Sequence, residues 1–262
     1  MKRLIFILSV ILVFSAVNIS AAELSVEEIV SKANMAAYYA GKDGKSDVKM
    51  TIKDNQGRVR EREFTVLRKN IKDGADQNFF VYFHKPADVR KMVFLVLKHS
   101  EKDDDRWLYM SNLDLVKRIS AGDKRTSFVG SDFVYEDVSG RNMNEDEHTL
   151  LKKEGNYYVL KNVPKNKGSV EFSYYLLWIN QNTFLPEKAE YYKGDKVFRK
   201  VSAVKIENVQ DIPTVIESKV ENIETGSSTV SVFQNIKYNI NISDGIFSEK
   251  YLRRPPMDLI KK

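Results

Sequence analysis

The chain has 262 residues, no cysteine, 42 basic against 36 acidic residues and a formal net charge of +6. Disulfides and thiolate chemistry are therefore excluded, and so mild a charge excess, interspersed along the chain, argues against a nucleic-acid partner. Stability must come from an apolar core, which a chain of this length can build.

The first residues read "MKRLIFILSVILVFSAVNISAAELS": two basic residues, an apolar run from Leu4 to Val17, then Ser20, Ala21 and Ala22. This predicts a cleaved secretory signal over residues 1–22 and a mature chain starting near Glu23. The run is shorter than the ~20 residues needed to span a bilayer. No cysteine follows to carry a lipid, and no second long apolar run is present. A soluble, exported protein is expected, not an integral membrane protein. Losing residues 1–22 removes Lys2 and Arg3 and no acid, which lowers the net charge by two.

The stretch "SVEEIVSKANMAAYYA" predicts a helix, with Ser25 as N-cap and Glu28 three residues on in a capping box. Val26, Ile29, Val30, Ala33, Ala37 and Ala40 fall on one side, suited to lie against a sheet. After Gly41 the apolar period changes to two. Residues 46–54 and 58–70 form a hairpin around Asn55–Gly57. In its second strand Arg58, Arg60 and Arg62 share parity with Phe64 and Val66, so arginines and hydrophobics occupy one face. Further strands are predicted at 78–84, 91–99, 105–110, 115–120, 157–163, 169–180, 186–193, 197–209, 214–223 and 228–240, with glycine-bearing turns between several of them. About a dozen strands with one long helix read as a large antiparallel sheet that must curl or close. No linker or fixed-period repeat interrupts residues 23–262, so one domain is expected.

Catalytic, cofactor and metal residues are not expected. His84, His99 and His148 stand far apart, outside any zinc spacing, and no nucleophile elbow or phosphate loop is present. The run Asp103–Asp105 lacks the spaced oxygens of a calcium loop. Asp132, Glu136 and Asp137 are a weak acid/base signal, better read as structural. Apolar and aromatic strand positions remain in excess: Val48, Met50, Ile52, Phe64, Val66, Phe94, Val96, Trp107, Tyr109, Phe172 and Tyr174. They could pack solid or line a cavity on the concave face, together with Ile29 of the helix.

The segment "DRWLYMSNLDLVKRISAGDKRTSFVGSDFVYEDVSGR", residues 105–141, resembles the outer-membrane lipoprotein-sorting proteins of the LolA/LolB-like superfamily, in particular the branch associated with RND/MMPL-type exporters. Residues 83–99, 177–192 and 226–239 extend the resemblance across essentially the whole mature chain. It implies a mainly β fold: one strongly curved antiparallel sheet forming an open half-barrel, with capping helices over its concave face. It further implies a non-enzymatic periplasmic carrier, without cofactor, that shelters lipoprotein acyl chains or another lipid cargo. An inner-membrane RND/MMPL-type transporter and a transient outer-membrane acceptor are the implied partners. The alternatives are a transporter accessory without cargo, or an exported hydrolase using Asp132, Glu136 and Asp137. Carriers of this family control closure with a basic residue in the second strand, which makes Arg58, Arg60 and Arg62 gating candidates. The stretch "TSFVGSDFVYED" is expected to form a wall or lid of the cavity, with Phe128 and Phe133 inserted beneath sheet or helices. Its acids Asp132, Glu136 and Asp137 would tie the loop by hydrogen bonds or to Arg118, Arg125 or Arg141.

Overall fold

The computed structural model describes residues 23–261, and the expected signal at 1–22 lies outside them. Helix α1 (Val26–Tyr38) opens with the expected capping box. Ser25 Oγ accepts from the Glu28 N–H at 3.1 Å, and the Ser25 N–H donates to the Glu28 carboxylate at 2.8 Å, so two otherwise free backbone donors are satisfied.

Six strands follow as successive hairpins: β1 (Asp43–Lys53), β2 (Val59–Asn70), β3 (Gln77–Lys85), β4 (Val93–Lys98), β5 (Asp105–Met110) and β6 (Leu115–Arg118). A long connection then carries the short helix α2 (Tyr135–Ser139). The remaining strands are β7 (Asp146–Glu154), β8 (Tyr157–Pro164), β9 (Tyr174–Asn180), β10 (Pro186–Lys193), β11 (Lys196–Val209), β12 (Ile212–Asn222) and β13 (Ser227–Tyr238). Two helical turns, α3 (Lys250–Arg253) and α4 (Met257–Ile260), end the described chain.

All thirteen strands form one antiparallel sheet in the order β6-β5-β4-β3-β2-β1-β13-β12-β11-β10-β9-β8-β7. The chain walks outward from the centre to one edge, crosses to the other edge, and walks back until β13 pairs with β1. The sheet is not closed: β6 and β7 are its edges. Register shifts between β1 and β13, between β10 and β11 and between β11 and β12 mark bulges, which bend the strands locally.

Strands β3 and β4 are buried on both faces. On one face Val48, Met50, Ile52, Phe64, Phe79, Val81, Phe83, Phe94 and Val96 pack with Phe128 and Tyr135 of the connection. On the other, Leu67, Phe80, Tyr82, Val93 and Leu95 lie under Ile242, Ile246, Phe247, Leu252 and Ile260 of the C-terminal segment. A smaller cluster docks Ile29 and Ala33 of α1 onto Leu160 and Ile179.

Some elements differ from the sequence reading. Strand β7 was not anticipated, since Lys152, Lys153 and Glu154 read as surface. The strand expected at 169–180 begins only at Tyr174, because residues Lys167–Ser169 form a 3-10 turn. The two C-terminal helical turns are too short to leave a periodic pattern.

Candidate functional site

The connection between β6 and β7, residues 119–145, has to pass from one sheet edge to the other, and it does so over the sheet's inner face. Phe128 anchors it, 1% exposed, with its ring 5.5–6.3 Å from those of Phe64, Phe83, Phe94 and Tyr135. Polar contacts hold the rest. Asp132 accepts from Thr229 Oγ1 at 2.7 Å and from Ser227 Oγ, while its N–H donates to Thr229 Oγ1 at 3.0 Å. Asp137 pairs with Arg199, and Lys98 donates to the carbonyls of Ser139 and Gly140 at 2.7 and 3.3 Å. Gly140 has φ +75°, and a Cβ there would lie 2.5 Å from the Tyr38 ring. Only glycine allows this close approach of connection and helix.

Between the connection, α1 and the sheet lies a cavity of about 500 Å³, within the roughly 300–1,000 Å³ range of small-molecule sites. Its apolar walls are Val48, Met50, Phe64, Val66, Phe79, Val81 and Phe233 from the sheet, Phe128, Phe133 and Val138 from the connection, and Val30, Ala33, Ala36 and Ala37 from α1. The small residues toward the end of α1 leave space that larger ones would fill. Polar lining comes from Arg68, Arg125, Glu136, Arg141, His148, Tyr175 and Tyr191, among others.

Most of these polar groups are mutually engaged. Glu136, 2% exposed, receives Lys124, Arg125 and Arg141 at 3.1, 3.1 and 3.3 Å. Burial alone would raise its carboxyl pKa, but Arg125, Lys124 and Arg141 overcome this and hold it below the ordinary value. Arg141 also pairs with Asp146, which accepts the Tyr175 hydroxyl at 3.0 Å. Arg125 binds Glu171 at 2.6 Å and lies over the rings of Phe172 and Tyr191. His148 is hydrogen-bonded at both ring nitrogens, to Asn162 and to the Met143 carbonyl. Of the three acids expected to tie the loop, Glu136 binds Arg125 and Arg141, while Asp132 and Asp137 tie it by hydrogen bonds to Ser227, Thr229 and the Val134 N–H; Arg118 instead pairs with Asp105, diagonal to it across the β5–β6 ladder.

Of the cavity residues anticipated from sequence, Val48, Met50, Phe64, Val66, Phe128 and Phe133 line it. Ile52, Phe94 and Val96 share their face but are sealed in the solid core beside it. Ile29 is sealed between α1 and the sheet. Trp107 and Tyr109 are corrected to the other face, against the C-terminal cluster, because Leu108 is the inward residue of β5. Phe172 is buried beneath Arg125 and Arg141 with Tyr175 and Tyr191. Tyr174 stacks on Tyr192, 4.5 Å between ring centres, on the face opposite Tyr175. Arg58 pairs with Asp54 in its own turn and Arg62 with Asp88, while Arg60 donates to the Gly130 carbonyl at 3.3 Å and thus touches the connection. Sequence reasoning missed Arg68, Phe79, Val81 and Phe233. Arg68 simply continues the parity of Phe64 and Val66, whereas the continuous apolar run of β3 conceals which residues face inward.

A family model described as "Uncharacterized protein" matches residues 75–254. Among solved structures the chain is similar to a DUF1329 family protein from Desulfovibrio piger, with 31% identity, 86% of this chain and 97% of that one covered, and a TM-score of 0.78. It is also similar to an outer membrane lipoprotein-sorting protein domain from Vibrio parahaemolyticus, with 25% identity, 87% and 97% coverage, and a TM-score of 0.79. The chain belongs to the DUF1329 family, within the LolA-like fold. A LolA superfamily protein from Nitrosomonas europaea, 22% identical over 87% of this chain and 100% of that one with a TM-score of 0.68, shares the LolA-like fold. No curated protein matches the chain. Among the described residues no helix is long and apolar enough to cross a membrane, and no group of three or more potential ligands is placed to hold a metal ion.

Proposed function

We propose that this LolA-like chain is a periplasmic, non-enzymatic carrier. It takes lipoprotein acyl chains, or another hydrophobic lipid, into the cavity and passes them toward the outer membrane. The observation that supports this is the apolar cavity of about 500 Å³ between sheet, α1 and the connection. Each methylene removed from water contributes about 0.8 kcal/mol, so a long acyl chain needs such shelter to cross an aqueous compartment. The Vibrio parahaemolyticus relative, described as a lipoprotein-sorting domain, supports the same reading. In this proposal residues 1–22 direct export and are cleaved, and residues 23–262 act as one lipid-binding domain. An inner-membrane RND/MMPL-type transporter supplies or receives cargo, and a transient outer-membrane acceptor completes the route. Opening requires the connection to move relative to the sheet. Of the gating candidates Arg58, Arg60 and Arg62, Arg60 is the one whose side chain bridges the two.

The test is native mass spectrometry of protein purified from its own envelope, followed by organic extraction and lipid analysis. A discrete co-purifying mass that extraction removes, with saturable rebinding of an acylated ligand, is the expected result. A protein that is empty on isolation and binds no acylated ligand would overturn the carrier reading and favour an accessory role.

A further inference from the structure

The charged groups around Glu136 satisfy one another, but Arg68, which also lines the cavity, does not belong to that network. Arg68 sits on β2 in line with Phe64 and Val66, and its guanidinium is bonded to neutral oxygens: Asn70 Oδ1 at 2.6 Å and the Ala40 carbonyl. Two acids act on it from a distance, and both have other partners. Asp43 accepts the N–H groups of Ile240 and Ile242 at 2.7 and 2.8 Å, and Asp73 accepts from Asn70. Burial works against the charge and lowers the Arg68 pKa from the ordinary guanidinium value. Arg68 is half-buried, and a cation drawn out of water without a bonded carboxylate is costly, so such groups are ordinarily paired.

The register shows what lies beside it. Arg68 is opposite Gly44, and Gly44 is opposite Tyr238. A Cβ on Gly44 would come within 3.2 Å of the Tyr238 ring, so the missing side chain lets that ring lean across the row. Tyr238 in turn shares a hydrogen bond of 3.0 Å with Thr214 Oγ1. Arg68, Tyr238 and Thr214 therefore form a polar row across β2, β13 and β12, all lining the cavity. Moving along β2 and β1 from this row, the next inward residues are Val66, Ser46, Val48 and Phe64, leading to Phe128.

We propose that this row is a head-group site, and that the cavity takes an amphiphile whose anionic group, a carboxylate or a phosphate, pairs with Arg68 while its chain runs toward Phe64 and Phe128. This rests on the carrier reading and specifies its ligand class. A guanidinium presents parallel N–H donors that match either anion. The Thr214 hydroxyl donates to the Ile212 carbonyl at 2.9 Å, so Tyr238 is the donor of the pair, and its O–H can turn from Thr214 Oγ1 to the head group as a neutral donor that adds no charge.

The experiment compares dodecanoate, dodecyl phosphate and dodecanol binding to the delipidated protein by displacement of a fluorescent fatty-acid probe, with inorganic phosphate as a chain-free competitor. The two anionic amphiphiles are expected to bind at least about tenfold more tightly than the alcohol. Arg68→Met should abolish that preference yet retain dodecanol binding, which also reports that the variant is folded, and Arg68→Lys should keep part of it. Which of carboxylate and phosphate binds more tightly identifies the natural head group. Equal binding of acid and alcohol to the native protein, or a preference that survives Arg68→Met, would overturn the head-group site while leaving the carrier reading intact. Competition by inorganic phosphate as effective as dodecyl phosphate would overturn it too, by marking a plain anion site. Failure of all three amphiphiles would overturn both.

Discussion

Glu136 faces Lys124, Arg125 and Arg141 from a position almost wholly removed from solvent. Removing one partner from such a buried group leaves charges that water cannot reach, at a cost of about 3–5 kcal/mol. Glu136→Gln is accordingly expected to destabilise the protein by that amount in urea unfolding, a loss far beyond that of an exposed acid such as Glu224. Lys98 makes a different prediction. Its ammonium is buried against two carbonyls, and burial pushes its pKa down from 10.5 to about 8. Between those values the unfolded chain binds a proton that the folded one does not, so this group makes stability rise with pH across the window. Below pH about 8 its penalty is fully present. Native protein and Lys98→Met, compared by denaturant titration from pH 7.5 to 10, should show the native protein gaining on the variant as pH rises, by at most about 1.4 kcal/mol per pH unit.

The connection over the inner face behaves as an element whose position depends on one ring and a few polar ties. Phe128→Ala removes the ring that Phe64, Phe83, Phe94 and Tyr135 surround; about 3–5 kcal/mol of stability should be lost. Hydrogen exchange should show faster exchange concentrated at residues 119–145. How much of the molecule could be read in advance follows the same logic. The α1 cap and most hairpins were legible because local patterns specify them. Phe64, Val66, Phe128 and Phe133, which line the cavity, were marked in the sequence by strand parity or by isolation among polar residues. Trp107 and Tyr109 were placed on the wrong face because β5 carries large side chains on both faces, so size did not indicate direction. Strand β7 was hidden because an edge strand exposes lysines and glutamates at positions where a central strand would carry valines. Arg68 was missed because a charged residue at the end of an apolar row reads as the strand leaving the core.

At the scale of the whole molecule, the outer face of β2–β5 depends on residues 239–261, which cover Leu67, Phe80, Tyr82, Val93 and Leu95. Truncation after Tyr238 would expose these large side chains as a contiguous patch, the kind of surface that drives self-association. The truncated protein is expected to aggregate at concentrations where the full chain is monodisperse, which light scattering during refolding will show. The strand order also dictates a sequence of events in time. Every pairing except one joins strands adjacent in the chain, and the exception is β1 with β13, which meet at the middle of the sheet. Loop closure over so long a separation is slow compared with hairpin formation. Pulse-labelling of amides during refolding should therefore find the hairpins of β1–β6 and β7–β13 protected first, and the amides that bond β1 to β13 last. On the proposed export route, β1 leaves the channel long before β13 and has to wait for its arrival. Until that last strand emerges, no finished sheet exists to obstruct passage.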